Sequence, residues 1–346
     1  MVLASRKRAA LANLAEPGVA PPTWIAVQGD RIIGYCSSLP IRLWNGSEHR
    51  PAYWAKGLMV LPEFQNGPIG FSVLKELTKS VPLIAAVTVH PASRRLFGAL
   101  GYRDHGALPN MLKPLSAARI FAKADAERLA AAGIPNVATR LLALAQQVRL
   151  AGPMGSVIDF GLRVRSGRAP TGLLAGDEPN LAAAEIDGLW HEVRRELSAA
   201  TVRDGAALIA RYRENADVTY RWVTIRRGGE LRGLMLVRPP RAEGDPRLAG
   251  IRISSLSDML VAPSDAAAQS ALLAAGESVA KALGADAALC SVSHASLMPL
   301  LRQRCYFPRA GNVHFFLRAR DQQEQWPTGL SGWWLARGDG ESDVTF

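Results

Sequence analysis

The two ends of this chain carry the same signals in the same order, and self-similarity of that kind restricts the fold to two copies of one unit. Four landmarks recur. The first is a strand, a tight glycine turn and a second strand, Trp24 to Tyr35 in one copy and Trp222 to Leu234 in the other, with Gly29-Asp30 and Gly228-Gly229 suited to hairpin turns. The second is an apolar strand closed by proline, Gly57 to Pro62 against Asp258 to Pro263, where the missing proline N–H ends the sheet ladder. An amphipathic helix follows, over about 69–80 and about 266–283. The last landmark is a strand, a short helix and an aromatic: Ala85 through His90 to Gly101-Tyr102, and Ala287 through His294 to Cys305-Tyr306, with the same histidine-to-tyrosine separation.

At 346 residues and 48% hydrophobic, the chain has material for two cores. The segment from Ser116 to about Val157 reads as helices broken at Gly133-Ile-Pro135, and the Gly/Pro/Asp-rich stretch from about Gly167 to Pro179 as a linker. The expected division is a first domain over 1–115, a helical connector and linker over 116–175, and a second domain over 176–346. No stretch has the ~20 uncharged apolar residues of a membrane span, and the opening Met1 to Arg8 lacks a secretory apolar region, so a cytoplasmic protein is expected.

Cys36, Cys290 and Cys305 have neither disulfide nor zinc spacing and read as reduced thiols, with Cys290 or Cys305 as a nucleophile the alternative. The net charge of +11 favours anionic partners such as a nucleotide phosphate, an acidic carrier protein or peptide, RNA or a membrane surface. Because the charges are dispersed along the chain, base composition accounts for them equally well.

The segment Leu58-Met-Val-Leu-Pro-Glu-Phe-Gln65-Asn-Gly-Pro-Ile-Gly70-Phe resembles the donor-binding segment of the GNAT superfamily of N-acyltransferases, and Pro91 to Tyr102 is similar to its later helix ending in Gly-Tyr. The likeness covers nearly the whole chain and extends to bacterial tandem-GNAT proteins, some found with polysaccharide or peptide natural-product genes; the closing Trp334 to Asp343 looks like a tail of such proteins. It implies an α/β (α+β) fold of two tandem GNAT-like domains, each a mixed, mostly antiparallel central sheet flanked by helices. It also implies a coenzyme A thioester, acetyl or longer, or the phosphopantetheine of an acyl carrier protein, as donor. Leu58, Met59 and Val60 would face its pantetheine arm, and Gln65, Asn66, Gly67, Ile69, Gly70 and Phe71 its diphosphate. Independently, a glycine-bearing turn opening a helix offers unpaired N–H groups and the positive end of a dipole to an anion. The family's first loop glycine falls on Pro68, which has no N–H but suits a first helical turn. The second copy, with Ser264 to Gln269 and no glycine, is expected to be degenerate.

Amide formation from a thioester needs a neutral amine, a polarised carbonyl and a proton for the leaving thiolate. The family's usual tyrosine position holds Phe97 and Leu301, and its strand acid is replaced by Lys56 and Gly57. The residues left to test are His90, able to take a proton near neutrality or to cap the next helix; Glu63, a base or a solvated acid; Tyr102, an acid or a core aromatic; and Asp258, an orienter of the acceptor amine or the partner of a buried turn. Trp44, Tyr53 and Trp54 would line an acceptor pocket or pack the sheet. No Walker loop, metal-binding helix, nucleophile elbow or paired-cysteine array occurs, and no metal is expected.

The expected activity is acyl transfer to a primary amine of a small molecule or peptide, with long-chain acylation of a lysine or ornithine side chain in a ribosomal peptide as a special form. The alternatives are an aminoacyl-tRNA-dependent Fem-type ligase, which would bind RNA in a salt-dependent way, and a non-catalytic double-GNAT binding protein. Nucleic acid is not expected as a partner.

Overall fold

In a computed structural model the described residues are 20–88, 91–123, 151–167, 170–215, 217–244, 250–309, 311, 313–321 and 325–340. The strands β1 (Thr23–Gln28) and β2 (Arg31–Trp44) form the first hairpin, turning at Gly29 with φ 57°. Then come β3 (His49–Val60), a 3-10 turn at Pro62–Phe64, α1 (Ile69–Ser80), β4 (Leu83–Thr88), α2 (Pro91–Ala99), β5 (Arg103–Ala107) and β6 (Asn110–Pro114). Helices α3 (Ala117–Lys123) and α4 (Ala151–Arg165) follow; the expected break at Gly133-Ile-Pro135 lies outside the described residues.

The second half begins with β7 (Leu174–Asp177), α5 (Ala183–Val193), β8 (Ala199–Thr201) and α6 (Gly205–Leu208), which runs into a π-helical turn at Ile209–Arg213. The hairpin β9 (Arg221–Arg227) and β10 (Glu230–Arg238) turns on Gly228 and Gly229, both with positive φ. Next are β11 (Ile253–Val261), α7 (Ala266–Ala282), β12 (Ala287–Cys290), α8 (Leu297–Gln303), β13 (Phe307–Arg309), β14 (His314–Ala319) and β15 (Trp333–Trp334). No helix among the described residues is long and apolar enough to cross a membrane.

These elements form two mixed sheets flanked by helices, one per copy of the repeat. The first runs β15-β8-β2-β3-β4-β14-β5 with β1 added to β2; the second runs β13-β6-β12-β11-β10-β9-β7. The sheets do not follow the divisions drawn at 115 and 175. Strand β6 pairs with β12 and β13 in the second sheet, whereas β14 inserts between β4 and β5 in the first. Strand β8 joins β2, and β15 joins β8. The segment read as a linker contains β7, which pairs with β9. Each sheet is thus completed by strands from the other half of the sequence.

Lys113 on β6 makes the exchange chemically specific. Its buried ammonium bonds Glu277 of α7 at 2.7 Å, and Arg304 bonds both oxygens of the same carboxylate at 2.9 and 2.8 Å. A register slip would strand these charges away from water, which costs several kcal/mol.

On one face of the first sheet, α1 buries Val73, Leu74 and Leu77 against Cys36, Tyr53 and Ile84, the helical spacing that gives one apolar stripe. The opposite face holds Trp54, Ala85 and Phe315 beneath Trp333 and Leu335. Trp44, Tyr53 and Trp54 are all buried; Trp44 Nε1 donates to Leu197 O at 3.1 Å, so these aromatics pack the sheet. All three cysteines are buried and unbridged, and burial pushes the Cys36 and Cys290 thiols up to about 12, far from a reactive thiolate at neutral pH.

Candidate functional site

The parallel strands β3 and β4 pair only at Tyr53–Ile84 and Trp54–Ala85. Beyond Trp54, β3 stays with β2 and β4 stays with β14, so the two diverge and a slot opens between them. At the head of this slot β3 carries a bulge: the register passes from Lys56–Ser37 to Met59–Tyr35, so Gly57 and Leu58 face Cys36 alone. Gly57 has φ 59°, and a Cβ there would lie 3.3 Å from the Tyr35 ring. Position 57 therefore favours glycine for its backbone, and a side chain there would crowd the Tyr35 ring.

Leu58 is half-buried beside the helix-side cluster, while Met59 is exposed on the other face. The strand ends as expected, with the turn Pro62–Phe64 leading to α1. Asn66 and Gly67 are exposed in this loop, and Gly67 N donates to Phe64 O at 3.1 Å. The Gln65 side chain folds back onto the strand, donating to Val60 O at 3.0 Å. Gln65 thus braces the loop.

Helix α1 starts at Ile69 after Pro68, and no side chain caps it. The N–H groups of Ile69, Gly70 and Phe71 have no carbonyl one turn back to bond, and the dipole makes this end positive. An ideal Cβ on Gly70 would lie 3.4 Å from the Val60 side chain and 3.8 Å from Leu96 of α2, so the helix start is held close to the end of β3 and to α2. These features fit an anionic group followed by a narrow arm.

The second sheet repeats the divergence and closes it. Strands β11 and β12 pair from Ile253–Ala287 to Leu256–Cys290, and a register shift between Leu236 and Val237 places a bulge at the matching point of β11. Into the gap runs the chain's own segment 333–340. Trp334 Nε1 donates to Met259 O at 2.9 Å on one side, while Ser293 N donates to Leu335 O at 2.9 Å and Ala336 bridges Val292 on the other. Helix α7 is capped by Asp265, whose carboxylate accepts from Ala268 N at 2.9 Å. That carboxylate already occupies the place where an anion would sit, so the second copy is shut both at its slot and at its helix.

A largely buried ion cluster, with Arg211 at its partly exposed edge, holds segment 333–340. Asp339 accepts from Arg203 at 2.6 Å, from Arg211 at 2.7 Å and from Thr201; Asp258 accepts from Arg203 Nε, Tyr212 OH and Met259 N, each at 2.8 Å. Two arginines balance two carboxylates here. The π-helical turn brings both Arg211 and Tyr212 to the cluster, consistent with the use of such turns where side chains must be re-aimed. Asp258, expected as a possible orienter of an amine, is instead 1% exposed and bonded throughout. Neither Arg203 nor Arg211 stood out in the sequence, because no motif marks them; Asp339 lies in the closing Trp334 to Asp343 segment, whose resemblance gave it no role.

The other sequence candidates are scattered. Glu63 is exposed and bonded to Arg31 at 2.7 Å; its own backbone N–H, helped by Arg31, outweighs desolvation and holds its carboxyl below the usual range. It lies on the loop as a solvated ion pair. Tyr102 is buried beside Phe97, 4.9 Å between ring centroids, with its hydroxyl 2.8 Å from Thr78 Oγ1. Burial pushes its phenol well up, away from any acid role near neutrality. Tyr102→Phe is expected to lower stability by about 1 kcal/mol through the lost Thr78 bond, measured by urea unfolding, and to leave coenzyme A affinity unchanged. His90 lies outside the described residues. Its counterpart His294 accepts at Nδ1 from Ser296 N at 3.3 Å, with Ser296 Oγ at 2.8 Å, at the start of α8. Burial lowers its pKa, and the ring braces the turn that leads into the helix. Among the described residues, no cluster of His, Cys, Asp and Glu could hold a metal ion.

No protein-family model matches the chain, and no curated protein matches it in sequence. Solved structures do match. A GCN5-related N-acetyltransferase from Anabaena variabilis is similar at TM-score 0.56 and 13% identity over 92% of this chain and 66% of that one. One from Kribbella flavida is similar at 0.51 and 15%, over 86% and 59%. N-myristoyltransferase of Saccharomyces cerevisiae with bound myristoyl-CoA is similar at 0.51 and 12%, over 86% and 71%. The chain thus spans less than two thirds of the first two. At these identities the likeness establishes the fold alone: two mixed sheets flanked by helices, the fold shared with these solved N-acyltransferase structures.

Proposed function

We propose that the protein is an N-acyltransferase whose single donor site is the slot between β3 and β4. The donor is a coenzyme A thioester, or the pantetheine of a carrier protein, and the acceptor is a primary amine on a small molecule or peptide. The supporting observation is the contrast between the two copies: in the first, β3 and β4 part beside an uncapped helix start, and in the second the matching gap is filled by segment 333–340 beside a carboxylate-capped helix. In this reading the amides of Ile69, Gly70 and Phe71 receive the diphosphate. The diverging edge of β3 receives the arm, and the acyl carbon arrives near the bulge at Gly57.

Because the second slot is closed, isothermal titration calorimetry with coenzyme A is expected to show one binding site per chain. Two equivalent sites would mean that segment 333–340 leaves its place, and no heat with coenzyme A or any acyl thioester would remove the enzyme assignment. The special form with a long-chain acyl group and a peptide lysine or ornithine is tested by intact mass, as the added acyl mass on a peptide acceptor.

A further inference from the structure

Lys56 is the first residue of β3 past Trp54 whose side chain lies on the face covered by segment 333–340. Trp54 stacks edge-on against Phe315, 5.9 Å away, in the cluster that includes Trp333 and Leu335. Two positions on, the half-buried Lys56 ammonium donates to the carbonyl of Gly340. Gly340 directly follows Asp339, the residue gripped by Arg203, Arg211 and Thr201. The filled second slot and the place where β3 and β4 part are therefore joined by a short, bonded path that ends on a cation at the head of the first slot.

The position carries a chemical consequence. The bulge at Gly57 follows Lys56 immediately, and β3 and β4 have already parted at this level. An acyl thioester threaded from the α1 end would bring its carbonyl to this bulge, where the nearest formal charge contributed by β3 is the Lys56 ammonium. Resting on the donor reading above, we propose that Lys56 is a catalytic residue that stabilises the negative charge on the thioester oxygen during transfer, and that Asp339 and Gly340 are positioning residues that aim it. In the step itself the amine nitrogen bonds to the carbonyl carbon and the carbon–sulfur bond breaks. The sulfur leaves as the thiolate and takes up the proton shed by the amine. A preorganised cation at the oxygen contributes most when the surroundings exclude water, which the buried tail provides.

The test uses the full chain and a generic amine, hydroxylamine, which converts an acyl thioester into a hydroxamate and free coenzyme A. Wild type, Lys56→Met and Lys56→Arg are compared for hydroxamate formation from acetyl- and long-chain acyl-coenzyme A, and for coenzyme A affinity by calorimetry. Lys56→Met is expected to lose about 100-fold in turnover with affinity within about threefold, and Lys56→Arg to fall between it and wild type. Asp339→Asn should lower turnover in the same direction, with Lys56→Met adding little on top of it if both act through one group. Equal turnover by wild type and Lys56→Met, both binding coenzyme A, would overturn the role of Lys56 and leave the donor slot standing. Loss of affinity in step with turnover would overturn it too, making Lys56 a binding or structural residue. A wild type that binds no coenzyme A would remove the donor slot and this role together.

Discussion

Gly67→Asp is expected to weaken coenzyme A binding at least about 30-fold, about 2 kcal/mol. The loss comes from charge repulsion. A carboxylate about 4 Å from a phosphate repels it by about 1 kcal/mol in bulk water and about 4 kcal/mol at the effective dielectric of a protein surface, and the diphosphate carries more than one charge. The fold should tolerate the change, because Gly67 is exposed, its φ is not positive, and an added Cβ meets only Phe64 O at 3.4 Å. Gly67→Ala, which adds bulk without charge, should bind coenzyme A nearly as well as wild type. Gly70→Asp should act in the same direction. Calorimetry of the three variants decides the matter: an Asp variant with wild-type affinity would show that the diphosphate does not lie at the start of α1.

The largest loss of stability is expected from Arg203→Met, about 3–5 kcal/mol in urea unfolding at neutral pH. Arg203 is fully buried and donates to Asp258, Asp339, Thr201 and the carbonyl of Trp334. Removing it leaves two buried carboxylates with Arg211 as their remaining cation, and uncompensated charge in a low dielectric is the costly outcome. Replacing Asp258 and Asp339 by Asn in the same chain should recover part of the loss. A cost below about 1 kcal/mol would mean that the cluster does not hold segment 333–340 in place.

The same cluster sets a pH dependence. Burial alone would raise the Asp339 carboxyl, but Arg203, then Arg211, Thr201 and the Ala336 N–H outweigh it and hold it below the usual carboxylate range. A carboxyl depressed in the folded state stabilises the protein above its unfolded pKa, about 4, and loses that contribution as pH falls through the folded value. The Asp339 contribution should therefore be complete near pH 7 and fade under acid, and Asp339→Asn should flatten that part of the curve.

The local elements were legible in the sequence because their causes are local. Gly29 and Gly228-Gly229 turn their hairpins, Pro62 and Pro263 follow strands that end two residues earlier, and the helix expected over about 69–80 is observed as Ile69–Ser80. The pairing partners were not legible. Strands β6 and β14 are five and six residues long, and nothing in Asn110–Pro114 or His314–Ala319 says which half of the chain supplies its neighbour. Register between distant strands is fixed by the assembled core rather than by either segment. Arg203 shows the same limit at the level of a side chain. In the run Thr201-Val-Arg-Asp204 it reads as a surface charge, and only the arrival of Asp258 and Asp339 from 55 and 136 residues away makes it the centre of a buried network. Lys56 was visible as the residue standing where the family's acid is missing, but its bond to Gly340 belongs to the tertiary structure alone.

The exchange of strands also constrains how the molecule can be made. Strand β14 lies between β4 and β5, so the sheet that carries the donor slot remains incomplete until residues 314–319 have left the ribosome. The N-terminal half, finished first in time, must wait with an unpaired inner edge while nearly all of the remainder is translated, a state prone to misassembly. Neither half should therefore be recoverable as a separately expressed fragment, and co-expression of the two halves, split in the 116–150 segment, is the arrangement in which the sheets can still reconstitute each other.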